Sequence, residues 1–302
     1  MKKLRENIVW IAGLVLAVVV LAVVCIFIIG FFGNPVSHLL ASRTARQYQA
    51  AHYPTYTIEA SGYNFKTGRY YAHLTDPAQP DGDFSLELSS GGKLLLDTYA
   101  DRVLSGENTG YRLSMEYRDL CRQVLETEQA GLPLDFGFGT LEIWRREALG
   151  NHDCPDYALV TEDLVPNGTY DVRALGAQAG HLVYYLEDAD PTPEKLAHWL
   201  LEIRRLMDEA GLPFVSIDVD LRYLRKEDGT RPSTDIRVSN FPYEEVYADG
   251  LTARVTAAVN AWNNDYNEVG KETLSRSFHR ENHLSGWFFF VCNGCILQSM
   301  GV

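Results

Sequence analysis

Ser90-Gly91-Gly92-Lys93 has the S-x-x-K spacing in which a lysine amine helps deprotonate a nucleophilic serine, and Lys66-Thr67-Gly68 matches the K-T-G that accompanies it in penicillin-recognising enzymes. That chemistry needs the serine to open a helix. A Gly-Gly pair between strand-like runs makes a turn instead, and the K-T-G comes before the serine, so the spacing is expected to be fortuitous. A second set lies near the carboxyl end: His279, His283, Cys292 and Cys295 offer the two-nitrogen, two-sulfur donors that tetrahedral zinc favours. Its order is inverted relative to common zinc fingers, and it encloses the apolar Trp287-Phe288-Phe289-Phe290. No metal is therefore expected, and Cys292 and Cys295 read as an exposed-compartment disulfide or as unpaired thiols. A redox role needs the first cysteine at a helix amino terminus in a β-α-β setting, which is missing here.

Other chemistry is sparse. Cys121 lies on an apolar helical stripe and reads as a small core side chain. Asp218 and Asp220 share one face of a strand, a pattern expected of a solvated face. There is no G-x-S-x-G, H-E-x-x-H, P-loop or dinucleotide glycine motif. No catalytic set, no cofactor and no metal site is expected.

The elements that would position such groups follow from periodicity. After Asn34 as cap and Pro35 at the first turn, a helix is expected to His52. Strands are expected over 56–65, 70–76, 84–88 and 93–99, separated by turn chemistry at 66–68, 77–82 and 89–92. Phe84, Leu86 and Leu88 alternate with Ser85 and Glu87, so one face is buried. A helix over 109–128 carries Leu113, Tyr117, Leu120, Cys121, Val124 and Leu125 as one stripe and closes a first unit, 34–128. Residues 131–139 read as a linker into a second unit, 129–270. There, strands are expected at 157–162, 170–175, 181–187, 215–223 and 235–241. Thr192-Pro193 opens a helix that Gly211 and Pro213 end, and a last helix runs from 251 to about 267. Hairpins flanked by helices indicate two small antiparallel α+β domains.

Ahead of these units, Ile8 to Phe32 is free of charge. As a helix it rises about 37 Å, more than the ~30 Å hydrocarbon core. It is about twice a signal-peptide apolar core and no small-x-small site closes it, so an uncleaved transmembrane anchor is expected. Lys2, Lys3 and Arg5 precede it and the next basic residue is Arg43, which puts residues 1–33 down as cytoplasmic stub and anchor with the bulk outside. The 302 residues carry 27 basic against 40 acidic side chains, a net charge of −13, which argues against nucleic-acid binding. From Lys271 the composition shifts abruptly. Residues 271–302 read as an irregular tail, an unselected extension rather than a docking segment.

Several of these residues resemble a known family. Gly33-Asn34-Pro35-Val36-Ser37, Ala41, Ala45, Tyr53-Pro54, Tyr63-Asn64-Phe65-Lys66-Thr67-Gly68, Tyr70-Tyr71-Ala72 and Asp83-Phe84-Ser85 are similar to the YfjL-like proteins of Gram-positive bacteria. The resemblance is specific over residues 33–100, looser to about 250, and does not reach the tail. It implies a single-pass membrane protein with two extracytoplasmic modules, and it brings no catalytic residue. The function expected is non-enzymatic: a bilayer partner through Ile8 to Phe32 and an envelope or membrane protein partner outside. The alternative is an extracytoplasmic enzyme, or a thiol or metal protein, with a dispersed site.

Overall fold

The computed structural model describes residues 2–151, 154–232 and 236–263, with backbone alone for residues 2–9 and 12. Helix α1, Lys2–Phe32, leaves Trp10, Leu14, Ile26 and Phe32 uncovered, and it is long and apolar enough to cross a membrane. Helix α2, Pro35–His52, starts where Asn34 Oδ1 accepts from Val36 N at 2.8 Å. Its small residues Ala41 and Ala45 are buried, so its axis comes close to the first sheet.

That sheet is an antiparallel meander of β1 (Thr57–Asn64), β2 (Arg69–Asp76), β3 (Gln79–Leu88) and β4 (Leu94–Asp97). Phe84, Leu86 and Leu88 are buried with Tyr70, Ala72 and Leu74, as the alternation predicts. Tyr53, Tyr56 and Tyr99 pack edge-on around Phe84. Strand β3 reaches back to Gln79, into the stretch read as a turn.

The second sheet runs β10 (Ile236–Pro242), β9 (Ser216–Tyr223), β8 (Gly180–Asp188), β5 (Leu134–Leu141). The α+β class stands, with one refinement. Strands β8 and β9 are parallel, because α5, Pro193–Glu209, crosses between them; parallel neighbours need such a crossover. Thr192 caps α5 by accepting from Lys195 N at 3.3 Å, and Gly211 ends it at φ +60°. A two-stranded piece, β6 (Ile143–Trp144) with β7 (Leu159–Val160), lies beside the sheet. A final helix, α6, covers residues 251–263.

Three expectations are corrected. The stretch 131–139 is no linker: β5 begins inside it. Its glycines are there because a Cβ at Gly137 would lie 2.1 Å from Tyr184 Cδ1, and one at Gly139 would lie 2.3 Å from Cys121 Sγ. The strand expected at 170–175 is α4, Val172–Ala179, capped by Asp171, which accepts from Arg173 N and Ala174 N. Helix α3, Glu107–Leu125, does not close the first unit. Leu113, Tyr117, Cys121 and Leu125 belong to the second core with Leu182, Tyr184, Ile217 and Leu200.

The two units are tied by Asp81 of β3. Its carboxylate takes Arg112 Nε at 2.7 Å and Nη2 at 3.1 Å, together with Thr109 Oγ1 at 2.7 Å. Its amide donates to Asn167 Oδ1 at 2.8 Å. Burial opposes ionisation of this carboxyl, but Arg112 and Thr109 outweigh it and hold its pKa below the usual carboxylate range.

Candidate functional site

The residues first considered for chemistry stay apart or fall elsewhere. Ser90 sits in the exposed turn between β3 and β4, and Lys66 to Gly68 form the β1–β2 turn. Neither opens a helix. Cys121 is fully buried, and burial pushes its thiol up to about 12, in keeping with a core role. His279, His283, Cys292 and Cys295 lie outside the described residues. Among the described residues no group of three or more His, Cys, Asp or Glu side chains is arranged to hold a metal.

Asp218 and Asp220 depart from the solvated face expected of them. On the side of the second sheet opposite α3, Asp220 is only 5% exposed and bonded to Arg222. Asp218 joins a cluster whose centre is His181, at the start of β8. His181 Nε2 lies 3.1 Å from Asp218 Oδ1, and Nδ1 lies 3.3 Å from Glu142 Oε1 and 3.0 Å from the Tyr157 hydroxyl. The Tyr157 oxygen is 2.5 Å from Ser216 Oγ. Each carboxylate has further donors. Trp144 Nε1 reaches Glu142 at 2.6 Å, Asn240 N reaches Asp218 at 2.6 Å, and Ser239 Oγ reaches it at 3.1 Å. Arg237 stands 3.7 Å from Asp218.

Local rules explain how the sequence assembles this. The parallel register of β8 and β9 puts His181 opposite Ser216, with Asp218 two residues on and hence on the same face. Asn240 adopts φ +48° where the β9–β10 register shifts, and its amide turns towards Asp218. Glu142 follows β5 directly and is fixed by its backbone N–H, which donates to Ala179 O at 2.8 Å.

Burial by itself would depress the His181 pKa. The hydrogen bonds and charges of Asp218 and Glu142 outweigh it and lift the value to about 9. Both carboxyls are in turn held below their usual range, His181 overcoming their burial. Burial raises Tyr157 to about 12. At neutral pH the centre is thus an imidazolium donating from both nitrogens, with Tyr157 donating to Ser216. The charges of His181 and Arg237 balance those of Glu142 and Asp218. Such a ring has no lone pair to accept a proton, and Ser216 faces a phenol instead of a base. The arrangement can fasten the segment carrying Glu142, Trp144 and Tyr157 to the sheet. Nothing in the sequence spacing links residues 142, 157, 181, 216 and 218, and only the polar alternation of Ser216 and Asp218 hinted at a shared face.

Away from the cluster the same face carries aromatic and cationic groups. Arg222 lies 3.9 Å over the Tyr185 ring, Phe136 stacks on Tyr185, and Arg231 pairs with Asp135 and Glu187. A cavity of about 510 Å³ lies elsewhere, lined at the α1–α2 elbow by Cys25, Ile29, Phe32, Asn34 and His38 among others.

Comparison with protein families finds two matches: "YfjL-like, N-terminal domain" over residues 8–111, and "YfjL-like C-terminal domain" over residues 150–256. A similar solved structure is that of a DUF5037 family protein from Ruminococcus gnavus, 14% identical, covering 61% of this chain and 75% of that one with a TM-score of 0.19. No curated protein matches the chain.

Proposed function

The chain belongs to the YfjL-like family, and we propose that it is a single-pass protein of the cell membrane that presents its two α+β units outside the cytoplasm for contact with another protein or with the envelope. The observation that carries this reading is α1: the described side chains of a helix long enough to cross a bilayer are all exposed. An apolar surface of that extent marks contact with lipid or protein, and backbone hydrogen bonding confines a lone span in lipid to a helix. Lys2, Lys3 and Arg5 on one side, with no basic residue on the other before Arg43, support an inward amino terminus. A role in contact rather than catalysis is supported by the His181 centre, whose ring nitrogens are both engaged and whose serine has no facing base. The net charge of −13 disfavours nucleic acid as the partner.

Protease treatment of intact cells tests the topology. Digestion is expected to remove residues beyond Phe32 and leave a membrane-embedded amino-terminal fragment. Full protection until the cells are lysed would put the units inside and overturn the proposal. Crosslinking in intact cells is expected to trap a discrete partner, and recovery of none above background would count against the contact role.

A further inference from the structure

We propose that the tip of the first hairpin, residues 65–69, is a second membrane contact, which seats the first unit on the phospholipid leaflet from which α1 emerges and holds the second unit clear of it. The inference rests on reading α1 as a span.

The elbow between span and head is fixed. Gly33 has φ +77°, and a Cβ there would lie 2.8 Å from both Tyr63 Cγ and Tyr70 Oη. Asn34 N donates to Tyr70 Oη at 2.7 Å, and that hydroxyl donates back to Asn34 O at 3.2 Å. Two residues so held make a joint rather than a swivel. Phe65, at the hairpin tip, has its ring centroid 5.7 Å from that of Phe31. Phe31 is the next-to-last residue of the charge-free run, so Phe65 shares the depth of the span's outer end. It is nonetheless 54% exposed, an apolar ring facing whatever surrounds α1 at that level. Aromatic and apolar side chains with flanking cations are the composition of a bilayer-interface contact.

Charge agrees with this placement. Residues 33–75 contain Arg43, Arg46, Lys66 and Arg69 against the single acid Glu59, in a chain whose net charge is −13. Lys66 is exposed at the tip itself. Arg69 beside it pairs with Glu87 at 2.5 Å, and the exposed Lys66 ammonium is the charge that suits an anionic headgroup layer. The strands then set a distance. Strand β2 runs from Arg69 beside the tip to Asp76 at the far end of the sheet, about 23 Å at ~3.3 Å per residue. Asp81, which ties the first unit to α3, lies just past that far end. Seated by its tip, the first unit is a spacer whose tie to α3 lies at the opposite end of the sheet from the leaflet contact.

The test uses the full chain in vesicles of phosphatidylcholine and phosphatidylglycerol, with an environment-sensitive fluorescent amino acid in place of Phe65 or, separately, of Tyr111, which is exposed on α3. Lipids brominated near the glycerol end of their acyl chains act as quenchers. Quenching at position 65 is expected to exceed that at 111 several-fold, and Lys66→Gln is expected to reduce it in these vesicles but not in pure phosphatidylcholine. If position 65 is quenched no more than 111 while the chain resists alkaline carbonate extraction, the seat is overturned and the span stands. If carbonate releases the chain, the span falls and the seat with it.

Discussion

Replacing His181 by leucine removes the cation between Glu142 and Asp218 while roughly keeping its volume, and the consequence depends on pH. His181 titrates near 6.5 when unfolded and at about 9 in the fold. A pKa raised by folding means that the folded state holds the proton more tightly. The stabilisation is complete below pH 6.5 and disappears as pH rises through 9. The difference corresponds to about 3 kcal/mol at low pH, of which roughly 2.5 kcal/mol acts at pH 7 and under about 0.5 kcal/mol at pH 9. The neighbours leave this window clear. Glu142 and Asp218 are shifted down, so their contribution is lost only as pH falls below the usual carboxylate range, and Tyr157 titrates at about 12. Urea unfolding of the full chain in detergent micelles, followed by tryptophan fluorescence between pH 6.5 and 9, measures the effect. Stability of the parent should fall by about 2–3 kcal/mol across that window while the triple variant His181→Leu, Glu142→Gln, Asp218→Asn stays flat. At pH 7 His181→Leu alone should be about 3–5 kcal/mol less stable, because two buried carboxylates lose their counter-charge. Adding Glu142→Gln and Asp218→Asn to His181→Leu should recover most of the loss. Parallel pH profiles for parent and triple variant would refute the imidazolium assignment.

Three further outcomes follow from the packing. Gly137→Ala should destabilise by about 1–3 kcal/mol through overpacking against the buried Tyr184 ring, with partial relief on adding Tyr184→Leu, read from the same urea curves. Asp81→Ala removes the acceptor for Arg112 and Thr109; a loss of about 3 kcal/mol is expected, together with faster hydrogen exchange at residues 161–170. Asp171→Ala deletes the cap of α4 and should cost about 1 kcal/mol, with exchange rising in residues 172–176 first.

Much of the architecture was legible residue by residue. The charge-free run of α1, the Asn34-Pro35 and Thr192-Pro193 helix starts, the Gly211 stop, and the alternation of Phe84, Leu86 and Leu88 are local signals, and each element forms where they point. Residues 131–139 misled because glycine there reports a close approach by Tyr184 and Cys121, side chains distant in sequence, rather than a flexible link. Residues 170–175 misled because β-prone Tyr170 and Val172 gave way to the Asp171 cap and to burial of Val172 and Leu175 in the second core. The α3 stripe is apolar as its spacing predicts, but it packs in the second core instead of the first, since a stripe does not say which sheet covers it.

By itself the sequence therefore determined the membrane-length helix, the starts of α2 and α5, the end of α5 and the α+β class, because capping and hydrophobic periodicity act over a few residues. Tertiary structure alone decided the parallel pairing of β8 with β9, the allegiance of α3, and the meeting of His181 with Glu142, Tyr157, Ser216 and Asp218. Those depend on which faces are brought together across long stretches of chain, and on how far each charged group is taken out of water once they meet.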